Sequence, residues 1–502
     1  MKMKQGRQLI LLFIMATAAS IILFTSQPNA VKIFCLAVYA FVILSVCFVL
    51  MLENRSPYKT LLWIYVLLLF PIAGYLFYIF SGQLEVNGYL FYKKREEDEQ
   101  YIQNQLQNRP SEYPDELEET PRNISAFIQR QSGFPVSFHT TTTILKNGQE
   151  TFSQIKESLL QAKNYIHMEY YTFRPDQIGG EIIDILVAKA KEGIEVKLLY
   201  DAVGSLQMSA QAIRKMERAG IETGCFLPVK YGFFNQKLNF RNHRKIIVID
   251  GETGFAGGLN IGDEYLDGGS AFPFWRDTHV MIKGDSLRTL HTIFLLDWAY
   301  VNDRFEMPET HHYLQADSEG GGGTQIVATG PGTNQGLMSD LYFNMIISAQ
   351  SSVWIATPYF APSKAIRTAL SVASKKGIDI KLMVPDKNDG FLTEYAARSY
   401  FGELLQSGID IYLYRKGFMH QKIMIVDGQS ASIGTANLDL RSLNLNFEVN
   451  VFLFQSESVE TLINNYNEDI GESFKLDKAS YENRGLRTRA KESFARLFSP
   501  VL

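Results

Sequence analysis

Cysteine is scarce in this sequence, and the few cysteines present are not spaced as in a disulfide-bonded fold. Only three occur among 502 residues, at Cys35, Cys47 and Cys225. The first two lie in an apolar segment and the third stands alone, so there is no CxxC pair of the kind that holds zinc or a redox disulfide. A disulfide framework and a cysteine-ligated metal site are therefore excluded.

The chain also lacks a large excess of charge of either sign. Its formal net charge is −4 at pH 7, which argues against a nucleic-acid-binding protein that works through a broad basic surface. The hydrophobic and charged fractions are those of a globular protein with a large core. At roughly 150 residues per domain, the length predicts about three domains.

Long apolar runs are present near the N-terminus, at residues 9–24, 31–52 and 61–80. The second and third are long enough to cross about 30 Å of hydrocarbon at about 1.5 Å per residue. We therefore expect a transmembrane anchor of two to three helices over residues 1–82, in a multi-pass protein of the cell membrane. The positive charges on either side of the runs do not decide its orientation.

The first of these runs, residues 9–24, has two interpretations. Lys2, Lys4 and Arg7 precede it, as basic residues precede the apolar part of a signal peptide. However, no convincing small-x-small cleavage site follows, and further apolar runs begin at once. The pattern favours a retained helix, with a signal peptide as the alternative.

Polar segments lie after the anchor and at the end of the chain. Residues 83–133 are rich in glutamate, glutamine and asparagine, which predicts a juxtamembrane linker with some helix within 96–106. Residues 481–502 predict a basic amphipathic helix. Such a helix either lies on an anionic membrane surface or packs against the neighbouring domain.

The region between these segments is a tandem repeat. Helical and strand patterns alternate through residues 134–315, and the same order returns in residues 325–480. Both copies contain apolar strand patterns, which are typical of α/β units around a buried sheet. A glycine-rich linker at 316–324 joins them. We expect one α/β domain in each copy.

One sequence motif occurs in both copies. It reads histidine, any residue, lysine, four apolar residues and aspartate, and it leads to a glycine-containing turn that ends in asparagine. Alternation along a strand puts the histidine and the lysine on one face. The motif residues are His243, Lys245, Asp250 and Asn260 in the first copy, and His420, Lys422, Asp427 and Asn437 in the second.

Two histidines and two lysines would converge if the copies pack about a pseudo-twofold axis. This set suits a phosphodiester, because lysines neutralise the non-bridging oxygens. One histidine attacks phosphorus, and the other protonates the leaving oxygen and then acts as a base. Asn260 and Asn437 are expected to donate hydrogen bonds to the same phosphate. A metal site is the disfavoured alternative, because an adjacent lysine is a poor neighbour for a cation.

A nucleophilic histidine also needs an acceptor that fixes its tautomer. Asp277 and Glu448 occupy corresponding places after the two motifs. Asp277 is a better candidate than Asp250 for orienting the imidazole of the first motif, because Asp250 falls at the turn after the strand. Glu169, near the end of another strand, is a further candidate to face the site.

The doubled motif, with its glycine-containing turns, resembles that of the phospholipase D superfamily. The N-terminal apolar segments, including residues 53–57, and the segments 275–277 and 446–448 resemble those of bacterial cardiolipin synthases. The resemblance covers nearly the whole chain. It implies an α/β fold of two phospholipase-D-like domains, with mixed sheets flanked by helices and a pseudo-twofold relation, after a transmembrane anchor. The extra run at residues 9–24 departs from the commoner two-span anchor.

The same resemblance implies a reaction. Two phosphatidylglycerol molecules would give cardiolipin and glycerol, without metal or nucleotide, through a phosphatidyl group carried on histidine. It implies a catalytic role for all six motif residues, His243, Lys245, Asp250, His420, Lys422 and Asp427. It assigns His243 as the nucleophile and His420 as the acid, which the residues alone do not separate. The alternatives are a membrane phospholipase D that uses water, a nuclease of the superfamily, and a lipid-binding protein with an inactive site. The sequence does not identify protein partners or an oligomeric state.

Overall fold

The computed structural model describes residues 2–52, 57–80, 91–106, 117–229, 236–269, 271–302, 321–331 and 336–499. Parts of the two expected linkers, at 83–90, 107–116 and 316–320, lie outside the described residues. The chain divides into two compact units. The first contains Met1–Leu90 with Lys230–Leu238, and the second contains Phe91–Val229 with Asn239–Leu502.

Four helices make up the described N-terminal part of the first unit. They are α1 (Lys2–Phe24), α2 (Asn29–Leu52), α3 (Pro57–Leu69) and α4 (Pro71–Phe80).

Among the described residues, α2 is the one helix that is both long enough and apolar enough to cross a membrane. The apolar stretches Ile10–Phe24 and Thr60–Leu69 are shorter. The expected span at 61–80 is divided because Pro71, which has no backbone N–H to continue α3, begins a new helix. The expected multi-pass anchor is thus corrected to one candidate span in the part of the chain described.

The second unit contains the remaining helices and all the described strands. Its helices are α5 (Tyr92–Leu106), α6 (Glu119–Ser132), α7 (Asn147–Gln161), α8 (Gln177–Lys191), α9 (Ala210–Arg218), α10 (Glu264–Asp267), α11 (Ser286–Asn302), α12 (Leu337–Ser348), α13 (Lys364–Lys375), α14 (Phe391–Gln406), α15 (Leu440–Asn444), α16 (Glu457–Gly471), α17 (Lys478–Glu482) and α18 (Leu486–Arg496).

The strands that precede the glycine-rich segment belong to the first copy of the repeat. They are β1 (Thr140–Lys146), β2 (Tyr165–Tyr170), β3 (Glu195–Asp201), β4 (Glu222–Phe226), β5 (Lys245–Ile249), β6 (Thr253–Gly257), β7 (Trp275–Arg276) and β8 (Thr278–Gly284).

The later strands belong to the second copy. They are β9 (Gly323–Thr329), β10 (Ser352–Ala356), β11 (Phe360–Ala361), β12 (Asp379–Pro385), β13 (Asp410–Tyr414), β14 (Phe418–Met419), β15 (Ile423–Val426), β16 (Ser430–Gly434), β17 (Leu438–Asp439), β18 (Glu448–Phe454) and β19 (Ser473–Lys475).

Two large sheets share one strand order. The first runs β1-β8-β6-β5-β2-β3-β4, and the second runs β9-β18-β16-β15-β10-β12-β13 with β19 added at the edge. In each sheet three neighbouring strands are parallel (β2-β3-β4 and β10-β12-β13) and the others are antiparallel. The expected tandem α/β fold with mixed sheets is confirmed. The motif strands β5 and β15 are central and buried throughout, which explains their unbroken apolar runs.

Short backbone pairings join the two copies directly in front of both motifs. β7 of the first copy pairs in parallel with β14 of the second, so that Arg276 lies opposite Met419. On the other side, Asn242 forms a parallel bridge with Phe447. Each motif histidine therefore follows a residue that is held by the opposite copy.

The segment expected as a juxtamembrane linker contains two helices that belong to the second unit. Lys94 of α5 is 3% exposed and lies 2.9 Å from a carboxylate oxygen of Asp297 on α11. Ile124 and Ile128 of α6 are fully buried. The described parts of this segment are therefore packed against the second unit.

The C-terminal helix α18 packs against α14. The ammonium group of Lys491 lies 5.1 Å from the ring centre of Tyr395, and the guanidinium of Arg496 lies 4.6 Å from that of Tyr400. Ala495 is fully buried. Of the two interpretations of this helix, the docked one is observed.

The motif aspartates lie at the far ends of β5 and β15. Asp250 and Asp427 both have φ of 55°, in the left-handed region that aspartate tolerates better than most residues. The carboxylate of Asp250 accepts hydrogen bonds from the backbone N–H groups of Lys163, Asn164 and Tyr165, at 2.7–2.8 Å. Five residues span about 16 Å of strand, so Asp250 is remote from Lys245. The structure therefore does not place Asp250 beside the motif histidine and lysine, where a catalytic residue was expected.

Asp427 is bound in the same manner in the second copy. Its carboxylate accepts from the backbone N–H groups of Gln350, Ser351 and Ser352. Both aspartates therefore fix the start of a neighbouring central strand, β2 or β10, against the end of the motif strand.

Replacing Asp250 by asparagine should lower the free energy of unfolding by about 1–3 kcal/mol, because one charged acceptor of three N–H groups is lost. Denaturant unfolding of the purified chain measures this change. Asp427→Asn should act similarly, since its contacts are equivalent. A variant with unchanged stability whose folded molecules had lost all turnover would instead place Asp250 in the chemistry.

Candidate active site

Both motif histidines line one cavity of about 390 Å³, whose wall comes from both copies of the repeat. The motif lysines lie beside them and are almost completely buried. Lys245 Nζ donates to the backbone oxygen of His243 at 2.8 Å, and Lys422 Nζ donates to that of His420. The structure thus brings together the four residues that the sequence predicted to converge.

The backbone of each histidine is anchored to the opposite copy. The N–H of His243 donates to the carbonyl oxygen of Phe447 at 2.9 Å, and the N–H of His420 donates to that of Arg276 at 2.7 Å. In both cases the accepting residue directly precedes a buried acid, which is Glu448 at the start of β18 or Asp277 between β7 and β8. This pairing carries each histidine to the acid of the other copy.

The imidazole–carboxylate pairs are consequently crossed between the copies. His243 Nδ1 lies 2.9 Å from Glu448 Oε2, and His420 Nδ1 lies 2.6 Å from Asp277 Oδ2. The expectation that Asp277 orients the first histidine is therefore wrong, since it holds His420. With Nδ1 bound to a carboxylate, Nε2 is the ring nitrogen left for a ligand.

Burial governs the protonation of the site. Burial lowers the pKa of His420 to about 3, helped by Lys422 and opposed by Asp277. Burial also lowers the pKa of His243, with Glu448 opposing it. Both rings are therefore neutral at pH 7 before an anion enters, and each is then able to act as a nucleophile.

The lysines respond to burial in the same direction. Burial lowers the pKa of Lys245 to about 7 and that of Lys422 to about 8. Burial opposes ionisation of Asp277 and Glu448 as well, but neighbouring cations hold the pKa of both carboxyls below their ordinary values. An anionic phosphate beside the lysines would favour their charged form.

The two turn asparagines both line the cavity but are not equivalent. Asn260 accepts from the N–H of Thr172 at 3.1 Å and donates to the hydroxyl of Tyr265 at 3.3 Å, so its amide is largely bound to the wall. The side-chain oxygen of Asn437 is buried without a hydrogen-bond partner among the described residues. Asn437 therefore has the greater capacity to contact a ligand.

Glu169 does not line the cavity. It is 1% exposed and accepts a hydrogen bond from the amide of Asn242. Burial, with the charge of Asp297 adding to it, raises the pKa of Glu169 well above its ordinary value. Its place is behind the first motif, so it is a structural carboxyl and not one that faces a ligand.

Aromatic residues that the sequence did not single out surround the histidines. The rings of Tyr171 and His243 are 5.0 Å apart, and those of Trp275 and His420 are 5.1 Å apart. Trp275 stands two residues before Asp277 in the sequence, and this spacing could have predicted that its side chain lies near the site. Among the described residues, no group of three or more histidine, cysteine or acidic side chains could hold a metal ion.

The low pKa of Lys245 predicts a pH-dependent effect of Lys245→Met. The pKa falls from its ordinary value of 10.5 to about 7, so burial of the charged form destabilises the fold fully below pH 7 and less as the pH rises to 10.5. Relative to the native chain, the variant should gain about 1–2 kcal/mol of unfolding free energy between about pH 9 and pH 7.

Denaturant unfolding at both pH values measures this difference. Lys191→Met, at an exposed position on α8, is the control and should show no such trend. A constant difference between Lys245→Met and the native chain would contradict the lowered pKa.

Two family models match the chain. One, described as the phospholipase-D-like domain of cardiolipin synthase, matches residues 155–270 and 342–470. The other, described as a phospholipase D-nuclease N-terminal segment, matches residues 36–83. In structure, the chain is similar to a phosphatidylserine synthase of Haemophilus influenzae Rd KW20, with a TM-score of 0.58 and 16% identity, over 76% of this chain and 100% of that one. This likeness concerns the fold alone.

Full-length relatives are much closer in sequence. A protein of Bacillus subtilis (strain 168), described as the probable cardiolipin synthase YwiE, is 47% identical over 500 residues and covers 100% of both chains. A cardiolipin synthase of Geobacillus sp. (strain WCH70) is 46% identical over 464 residues, 91% of each chain. With this identity over its whole length, and with the doubled motif intact, the chain belongs to the cardiolipin synthase family of the phospholipase D superfamily.

Proposed function

We propose that this protein is a cardiolipin synthase that transfers a phosphatidyl group from one phosphatidylglycerol to another, giving cardiolipin and glycerol. The observation that carries this proposal is the pair of cavity histidines, each held through Nδ1 by a buried carboxylate of the opposite copy. Such a pair supplies one nucleophile and one proton carrier for a phosphodiester. Family membership supports the choice of phospholipid as substrate.

In the first step, Nε2 of His243 attacks the phosphorus of the donor phosphatidylglycerol. The bond from phosphorus to the headgroup glycerol oxygen breaks, and that oxygen takes a proton from Nε2 of His420. Glycerol leaves, and the phosphatidyl group is held on His243. Glu448 keeps the proton on Nδ1 of His243, while Lys245 and Lys422 balance the charge on the phosphate oxygens.

In the second step, a headgroup hydroxyl of another phosphatidylglycerol gives its proton to His420. Its oxygen attacks phosphorus, the phosphorus–nitrogen bond breaks, and His243 is restored. Two phosphodiesters enter and cardiolipin and glycerol leave, so no proton is gained or lost and no cofactor is needed. Burial lowers the pKa of His420, and the negative phosphodiester raises it again when the donor lipid binds. His420 then takes one proton from water before the first step and returns it after the products leave.

The competing reaction is hydrolysis, with water in place of the second lipid. The packing of Tyr171 and Trp275 on the two histidines favours transfer, because it limits the room for water around the intermediate. Phospholipase D activity is therefore the second candidate function, and a nuclease is a weaker third.

A location at the cell membrane fits the proposed substrate. The helix α2 has the length and composition of a membrane span, and Phe34, Phe41, Leu44 and Phe48 are more than 60% exposed along it. Such a surface favours lipid over water. We infer that α2 holds the protein at the bilayer, ahead of two catalytic repeats at residues 134–315 and 325–480.

Purified protein in vesicles of pure phosphatidylglycerol should form cardiolipin and glycerol in equal amounts. Lipid chromatography with a glycerol assay measures both products. Phosphatidic acid without cardiolipin would establish the hydrolytic alternative and refute the synthase.

The same assay tests the two histidines. His243→Ala and His420→Ala should each lower the rate by at least about a thousandfold, because nucleophile and acid act as a unit. Lys191→Met is the matched control. Substantial activity in either histidine variant would contradict the two-histidine mechanism.

The inferred anchor makes a separate prediction. The full chain should stay with the membrane pellet after an alkaline carbonate wash, because α2 is held by hydrophobic burial and not by charge. Release into the supernatant, detected by immunoblot, would show that the protein is only peripherally bound.

A further inference from the structure

The two walls of the cavity are built from equivalent segments. In the first copy, Phe173 forms a parallel bridge with Ile261, just after the turn asparagine. In the second copy, Phe360 pairs in parallel with Leu438, at the corresponding place. This common register allows the two walls to be compared residue by residue.

The comparison shows opposite charges at one equivalent position. Glu264 stands four residues after Asn260, and Arg441 stands four residues after Asn437. Arg174, directly after Phe173, corresponds to Ala361, directly after Phe360. All four wall residues line the cavity.

On the first wall, the arginine has an acidic partner. Arg174 and Glu264 form an ion pair with 2.6 Å between a guanidinium nitrogen and a carboxylate oxygen. Their charges cancel, and the guanidinium already has an anionic partner. Arg174 is therefore already paired and is not available to a second anion.

On the second wall, the arginine lacks such a partner among the described residues. Arg441 forms no ion pair within the part of the chain that the structure describes, and its guanidinium donates to the backbone oxygen of Asn239 at 2.8 Å. The acid next to it, Asp439, accepts from the N–H of Ser442 at 2.7 Å, and burial raises its pKa to about 6. Among the described residues, Arg441 therefore lacks the carboxylate partner that Arg174 has on the first wall.

The proposed reaction brings two phosphates to this cavity. One is attacked by histidine, and the other belongs to the second phospholipid, where a glycerol unit separates it from the attacking hydroxyl. That second phosphate keeps its charge and needs a cation when it leaves water. The guanidinium fork matches phosphate oxygens in geometry and charge.

We propose that Arg441 binds the non-reacting phosphate of the acceptor phosphatidylglycerol. This inference rests on the proposed synthase function and adds an acceptor subsite on the second wall. Asn437 and Asn446 line the cavity with side-chain oxygens that are buried without partners among the described residues, and these suit the glycerol hydroxyls between the two phosphates.

The test compares two acceptors, one with a phosphate and one without. The full-length enzyme in phosphatidylglycerol vesicles forms cardiolipin, and with labelled free glycerol it exchanges the headgroup of phosphatidylglycerol. The donor lipid is the same in both reactions. For Arg441→Met, the ratio of cardiolipin formation to glycerol exchange should fall about tenfold or more, because one charge-assisted contact to the acceptor is lost.

Two further variants make the result decisive. Ala361→Glu places a carboxylate where the first wall has its partner residue, so it should lower the same ratio while Arg441 remains. Arg487→Met removes an exposed arginine on α18 and should leave the ratio unchanged. If Arg441→Met fails to fold, Ala361→Glu decides the question.

A proportional change in both reactions, or no change, in the folded wall variants would overturn the subsite. Failure of the proposed function is a separate result, since the native enzyme would then form no cardiolipin. Arg441→Lys, which keeps the charge without the fork, should recover part of the ratio.

Discussion

The crossed hydrogen bonds between imidazole and carboxylate are the constraint on which the structure depends. Neither copy of the repeat can fix the tautomer of its own histidine, because Glu448 and Asp277 each serve the other copy. Both acids are completely buried, and a buried carboxylate without its partner is costly. Packing of the two copies therefore completes the site and stabilises its buried charges.

Much of the fold follows from patterns that are local in sequence. The repeat, the alternation of helices and strands and the convergence of His243 and His420 were all predictable. The crossing was not, because within-copy and between-copy pairing use the same residues at the same spacing, and only the bridges at Arg276 and Phe447 distinguish them. The position of Asp250 was predicted in part. An aspartate before glycine indicates a turn, but it does not show which N–H groups the carboxylate binds.

Other features lay beyond sequence reasoning because their partners are distant in the chain. In the sequence, Lys94 is one charged residue of a polar linker. In the structure it is buried against Asp297, about two hundred positions later in the chain. The asymmetry at Arg441 likewise depends on a distant pairing, which places Ala361 opposite Asp439, two residues before Arg441. The number of membrane spans was overestimated because hydropathy alone does not register that Pro71 starts a new helix.

The shared strand order of the two sheets bears on how such a site can arise. Each copy carries one histidine and the acid that binds the histidine of the other copy, so a single copy with this site would need a symmetric dimer to complete it. In such a dimer, identical subunits place the same residue on both walls. A single polypeptide is free of that restriction, and Glu264 and Arg441 differ at equivalent positions of its two copies. A site with two unequal halves can hold two ligands in separate places.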